Sequence, residues 1–164
     1  MMNQNAPAAP PLQVSQWLNT SAPLTLEGLL GRVVVVEAFQ MLCPGCVSHG
    51  LPQATRICET FRMEDVQVIG LHTVFEHHEA QTPVALQAFL HEYRIGFPVA
   101  VDMPGEGRYL PRTMAAYDMQ GTPTLVLIDR AGRRRAQHFG AVPDLLLGAE
   151  IMSLLREAPA DAQG

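Results

Sequence analysis

The 164-residue sequence has no apolar run approaching the roughly 18 residues that a membrane-spanning helix needs, so no such helix is expected. Charge is sparse: 11 Lys and Arg face 16 Asp and Glu, a formal net charge of -5. Nothing builds the basic footprint of a nucleic-acid binder, and no nucleic-acid partner is expected. The one basic run, Arg133 to Arg135, reads as a solvated turn of a hairpin. The Ala/Pro/Asn-rich start, Met1 to Pro11, lacks a basic segment followed by an apolar one, so no secretory signal is read. A cytoplasmic location is expected, with the periplasm the alternative if an export segment has been trimmed. Cysteines number three, odd and too few for a structural disulfide framework. The length buries a core without such staples, and an apolar fraction of 48% is that of an ordinary globular chain. There is no internal repeat, no nucleotide or flavin motif and no second Cys-x-x-Cys. No cofactor is therefore expected.

The pattern along the chain predicts a flexible arm over 1–13, one α/β domain over 14–158 and a polar tail over 159–164. Pro23 to Gly31 reads as a short helical turn, stopped by the glycine. Val33-Val-Val-Val-Glu-Ala-Phe39 is short, β-branched and almost wholly apolar, as a central strand covered on both faces requires. A helix opens at Cys43 and runs to about Arg62, with Val47, Leu51, Ala54, Ile57, Cys58 and Phe61 on its apolar face. On that face Cys58 reads as a buried, inert thiol. A second strand spans Val66 to Val74, and a helix begins at Pro83. Phe97 to Val101 reads as a short strand, Met103 to Arg108 as a loop and 111–118 as a helical turn or two. Thr124–Asp129 and Arg133–Phe139 flank the turn Arg130-Ala-Gly132 as a β-hairpin. A last helix over about Val142 to Glu157 would turn Leu145, Leu146, Ile151, Leu154 and Leu155 inward. Strands alternating with helices, then a hairpin and a helix, predict an α/β sandwich with a mixed central sheet.

The chemistry concentrates at Cys43-Pro44-Gly45-Cys46. A cysteine titrates near about 8.5, and a disulfide exchanger needs its thiolate at neutral pH. The first cysteine at a helix N-terminus lies beside unpaired N–H groups and the positive end of the helix dipole, both of which favour the anion. Cys43 has that position, Pro44 suits the first helical residue, and Gly45 lets the backbone turn closely. Cys43 therefore reads as nucleophile and Cys46, one turn on, as the resolving thiol. The competing reading is half of a zinc site completed by His49, His72, His77 or His78, but these form no tight ligand pair with one another.

Phe39-x-x-x-Cys43-Pro-Gly-Cys46 opening a helix, with Gly121-Thr-Pro-Thr124 before a later strand, resembles the thioredoxin superfamily. Trp17-Leu-Asn-Thr20, Pro23-Leu-Thr-Leu26 and Gly31-Arg-Val-Val34 resemble its redoxin branch. That branch includes the TlpA- and ResA-like thiol–disulfide oxidoreductases and the thioredoxin-like domains of DipZ and NHL-repeat proteins. The likeness runs from about residue 14 to 157 and implies a thioredoxin-like three-layer sandwich, a mixed sheet flanked by helices. It implies a cis peptide bond before Pro123, with Thr122 facing the cysteine pair; Thr122, Pro123, Pro44 and Gly45 are assigned to substrate binding. Glu37 matches the acid buried beneath the second cysteine, which would accept the Cys46 proton during resolution; an exposed place on a strand edge is its alternative.

The sequence departs from that family at Leu42, where tryptophan is usual, and at Val47, where Lys or Arg is common. A narrower partner set than that of a general thioredoxin follows. His49 reads either as a neighbour of the pair or as an exposed helix residue. The expected activity is thiol–disulfide exchange on a protein or small-molecule disulfide, with an external electron donor. A peroxiredoxin-like (AhpC/TSA-type) thiol peroxidase is the competing enzyme, and a non-catalytic binding module the third reading. The peroxidase signature Pro-x-x-x-Thr/Ser-x-x-Cys is absent, since Val36 and Gln40 stand where its proline and hydroxyl would be.

Overall fold

The computed structural model describes residues 2, 5–107 and 110–158. Among these, six strands form one mixed sheet: β1 (Val14–Leu18), β2 (Val33–Phe39), β3 (Val66–His72), β4 (Val99–Asp102), β5 (Thr124–Ile128) and β6 (Arg134–Phe139), in the order β1-β4-β3-β2-β5-β6. Four α-helices flank it: α1 (Leu51–Thr60), α2 (Pro83–Glu92), α3 (Arg112–Ala116) and α4 (Asp144–Arg156). β2 runs parallel to β3 and antiparallel to β5, and all seven of its residues are buried. Alternate side chains leave it on opposite faces. Val33, Val35 and Phe39 join the cluster holding Leu51, Leu86, Leu147 and Ile151, from α1, α2 and α4. Val34, Val36 and Ala38 join the one holding Met114 of α3 and Tyr117. This is the expected three-layer α/β sandwich. Fully burying one such valine contributes roughly 1.5–3 kcal/mol, which is why β2 carries no polar residue except Glu37.

Val14–Leu18, to which the sequence pattern assigns no element, is an edge strand paired antiparallel with β4. Within the stretch read as an arm, Ala8 bridges Arg133 and the Tyr117 hydroxyl donates to the Pro10 carbonyl at 2.7 Å. Residues 159–164 and Arg108, part of the expected loop, lie outside the described residues.

The helix after Cys43 is not uniform. Cys46–Gly50 is a π-helical segment, and regular α1 starts only at Leu51. Pro52 is the cause: it has no N–H for the Ser48 carbonyl, and its ring crowds that oxygen. The ladder widens, and the Leu51 N–H reaches back to the Cys46 carbonyl. Leu51, Ala54 and Ile57 stay inward, but Cys58 is exposed rather than buried.

Arg133–Arg135 is likewise not a solvated turn. The register of β5 and β6 shifts at Leu127/Ile128, and the bulge turns Arg135 inward to 6% exposure. There it pairs with Asp129 at 3.0 Å and with the carboxylate of Glu157. On α4 the inward residues are Leu147, Ile151 and Leu154, while Leu145 and Leu146 face out.

Candidate active site

Because β5 runs antiparallel to β2, its first residue, Thr124, lies opposite Ala38 near the end of β2. The turn before β5 is thus delivered to the loop that leaves β2 toward Cys43. That loop is held from within. The Gln40 carbonyl accepts the Cys43 N–H at 3.2 Å, and its side-chain oxygen accepts from the Phe75 N–H and from Gln81 Nε2.

Cys43 and Cys46 are joined as a disulfide, their Cα atoms 5.2 Å apart. Cys43 is half-buried and Cys46 is fully buried, with Leu42 and Pro44 exposed on either side of Cys43. An incoming sulfur can therefore reach Cys43 and not Cys46. The Cys46 N–H is shared between the Cys43 carbonyl at 3.1 Å and Cys43 Sγ at 3.2 Å. A donor placed there, at the open end of a helix, would favour the anionic form of a sulfur at this position. Across from it, the Thr122 carbonyl oxygen lies 3.5 Å from Cys43 Sγ. The Thr122–Pro123 peptide bond is cis. A Cβ on Gly45 would sit 3.3 Å from the Pro123 ring, so the glycine lets the helix start and this turn meet. Cys43, Pro44, Gly45, Thr122 and Pro123 thus form one surface, with Cys46 sealed beneath it.

Glu37 sits in β2 between Gly70 of β3 and Leu125 of β5, far from any sheet edge. Its exposure is 1%, and among the described residues its Oε1 has no hydrogen-bond partner. Desolvation by burial pushes its pKa up to about 8. A Cβ on Gly50 would overlap Glu37 Oε1 and lie 3.2 Å from Pro123 Cβ. The carboxyl therefore reaches between the π-helical turn that starts at Cys46 and the Pro123 loop.

The four histidines considered as zinc ligands are dispersed. His72 is buried on β3 against the Phe39 ring, 5.2 Å between centroids. Half-buried His49 has Nε2 3.2 Å from the Val142 carbonyl, while His77 and His78 are exposed on the β3–α2 connection. Among the described residues no group of three or more His, Cys, Asp or Glu side chains could hold a metal ion. The residues that sequence reasoning passes over are Gln40, Gln81 and Gly50. Gln40, a polar residue directly after an apolar strand, was the one signal available.

The profile of the AhpC/TSA family matches residues 6–136. The chain belongs to that family. This AhpC/TSA chain is 63% identical to a crystallised thioredoxin-like superfamily protein, with a TM-score of 0.91 over 93% of this chain and 98% of the other. It is 53% identical to a crystallised thiol-disulfide isomerase from Corynebacterium glutamicum, with a TM-score of 0.90 over 95% and 100%. With protein DipZ of Mycobacterium bovis it shares 27% identity over 153 residues, which is 92% of this chain but 21% of DipZ. The family chain thus spans about a fifth of that relative's length. The fold is thioredoxin-like, as the resemblance in sequence implied.

Proposed function

We propose that the chain is a dithiol thiol–disulfide oxidoreductase working through Cys43-Pro44-Gly45-Cys46. The observation that carries this is the asymmetric pair: a reachable Cys43 with an N–H aimed at its sulfur, linked to a sealed Cys46. The likeness to the Corynebacterium glutamicum thiol-disulfide isomerase supports the same reading.

The reduced enzyme starts with Cys43 as thiolate. It attacks one sulfur of a disulfide R–S–S–R′; a Cys43–S–S–R bond forms, the R–R′ disulfide breaks, and R′S⁻ leaves to take a proton. Glu37, in its carboxylate form, takes the proton of Cys46, and the Cys46 thiolate attacks Cys43 Sγ. RS⁻ leaves, the substrate has gained two electrons, and the enzyme holds the Cys43–Cys46 disulfide. An external dithiol donor returns it to the reduced state; run backwards, the sequence oxidises a dithiol. Thr122 and Pro123, with Pro44 and Gly45, would form the surface against which the substrate disulfide lies. The substrate class is a protein or small-molecule disulfide.

The family match also raises a peroxidase reading. Gln40 argues against it, because its side-chain oxygen is committed inward to Phe75 and Gln81 and offers no hydroxyl to a peroxide at Cys43. The test is turnover of a disulfide substrate by Cys43→Ser and Cys46→Ser. Cys43→Ser is expected to be inactive, and Cys46→Ser to accumulate a Cys43 mixed disulfide. Full turnover by Cys46→Ser, or peroxide consumption faster than disulfide exchange, would refute the proposal. The reduction potential of the pair sets the direction: near about -270 mV it acts as a reductase, near about -120 mV as an oxidant.

A further inference from the structure

Gln81 lies just before α2, outside the cysteine-bearing segment, yet only 4% of it is exposed. Its Oε1 accepts the N–H of Leu42, the residue next to Cys43, at 3.2 Å. Its Nε2 donates to Gln40 Oε1 at 3.1 Å and to the Glu76 carbonyl at 2.9 Å. Gln40 Oε1 also accepts the Phe75 N–H, and the Gln40 carbonyl accepts that of Cys43. Two buried carboxamides thus tie the Cys43 loop to the β3–α2 connection, with each hydrogen bond pointing a single way.

We propose that Gln81, acting with Gln40, is a positioning residue that sets the reactivity of Cys43 by fixing the Leu42 peptide. The proposal rests on the dithiol reading of the site. An apolar residue at 81 would seal the interior equally well but would leave the Leu42 N–H without its protein acceptor. The loop would then be free to move Cys43 Sγ away from the Cys46 N–H, now at 3.2 Å, and the thiolate would lose that donor. A small displacement suffices, because hydrogen bonds weaken steeply with distance and angle.

The test is the rate of iodoacetamide alkylation at Cys43 in the reduced full chain, followed against pH and read site by site by mass spectrometry. It uses no disulfide substrate, so it reports on the clamp whether or not the exchange reaction is confirmed; failure of that reading appears instead in the turnover of the cysteine variants. In Gln81→Met the Cys43 thiol pKa is expected to rise by about one unit, slowing alkylation at pH 7 about tenfold. Gln40→Met should act in the same direction. The double variant leaves no orphaned carboxamide, only the N–H groups of Leu42 and Phe75, and serves as the second reading where a single variant does not fold. It should lose no more than the worse single variant, because the two side chains act as one clamp. A folded double variant with the wild-type Cys43 pKa and alkylation rate would overturn the proposal, as would losses that simply add.

Discussion

Glu37 Oε1 lies against the Cα of Gly50, in the space that a Cβ would occupy. The contact joins the central strand to the π-helical turn that begins at Cys46, and it explains why a bulky acid fits beneath a helix. Gly50 has ordinary helical angles, φ -60° and ψ -55°, so alanine meets no backbone strain there. By helix propensity alone, alanine would stabilise by up to about 1 kcal/mol.

Gly50→Ala is nonetheless expected to destabilise the protein by about 1–3 kcal/mol, because the new methyl group must displace the Glu37 carboxyl or the Pro123 loop. Urea denaturation of the variant measures this. The cost should shrink in a Glu37→Ala background, where the space opens. A stabilised Gly50→Ala would mean that the carboxyl does not occupy this space.

Glu37→Gln should change the pH dependence of stability in a definite direction. The folded-state pKa is about 8, against an ordinary value of 4.5. Between those limits the unfolded chain has released the proton and the folded chain still holds it, so wild-type stability falls as pH rises from 4.5 to 8. The glutamine variant lacks that slope. Its advantage over wild type should be under about 1 kcal/mol at pH 5 and about 3 kcal/mol at pH 7. Paired denaturation curves at the two pH values decide it, and equal advantages would contradict a buried, raised carboxyl. Resolution of the mixed disulfide should slow in the same variant, which separates a proton acceptor from a merely buried acid.

What the sequence made legible was whatever local pattern determines. The seven-residue apolar run became β2, and Cys43 to Cys46 opened a helix directly after it. Thr122–Pro123 is cis where the resemblance implied. The misreadings arise where a tertiary or phase effect intervenes. Helical spacing puts Cys58 on the apolar face with Leu51 and Ala54, but it lies near the end of α1 and is exposed. Leu145, Leu146 and Leu147 are consecutive, and composition cannot say which faces in; the spacing Leu147–Ile151–Leu154 decides it. Arg135 turns inward only because a bulge in the β5–β6 ladder brings it to Asp129 and Glu157. Gln40 and Gln81 are 41 positions apart, and only the fold shows that they bond.

His72 should give the protein an acid sensitivity opposite in sign to the effect of Glu37. Its side chain is buried against Phe39, and among the described residues its Nε2 has no partner. Desolvation pulls its pKa down to about 4 from 6.5, and the neighbouring Gln81 side chain opposes that only in part. Below pH 6.5 the unfolded chain takes up a proton that the folded chain refuses, so stability falls as pH drops toward 4. At pH 5 this costs about 2 kcal/mol. His72→Leu, close in volume and unable to titrate, should therefore gain about 2 kcal/mol on wild type between pH 7 and pH 5, read from urea midpoints at both. Taking this as a difference between two proteins cancels the contribution of Glu37, which both retain. If the two lose the same stability on acidification, another group carries the acid response, and the His72 imidazole is not excluded from protonation by its burial.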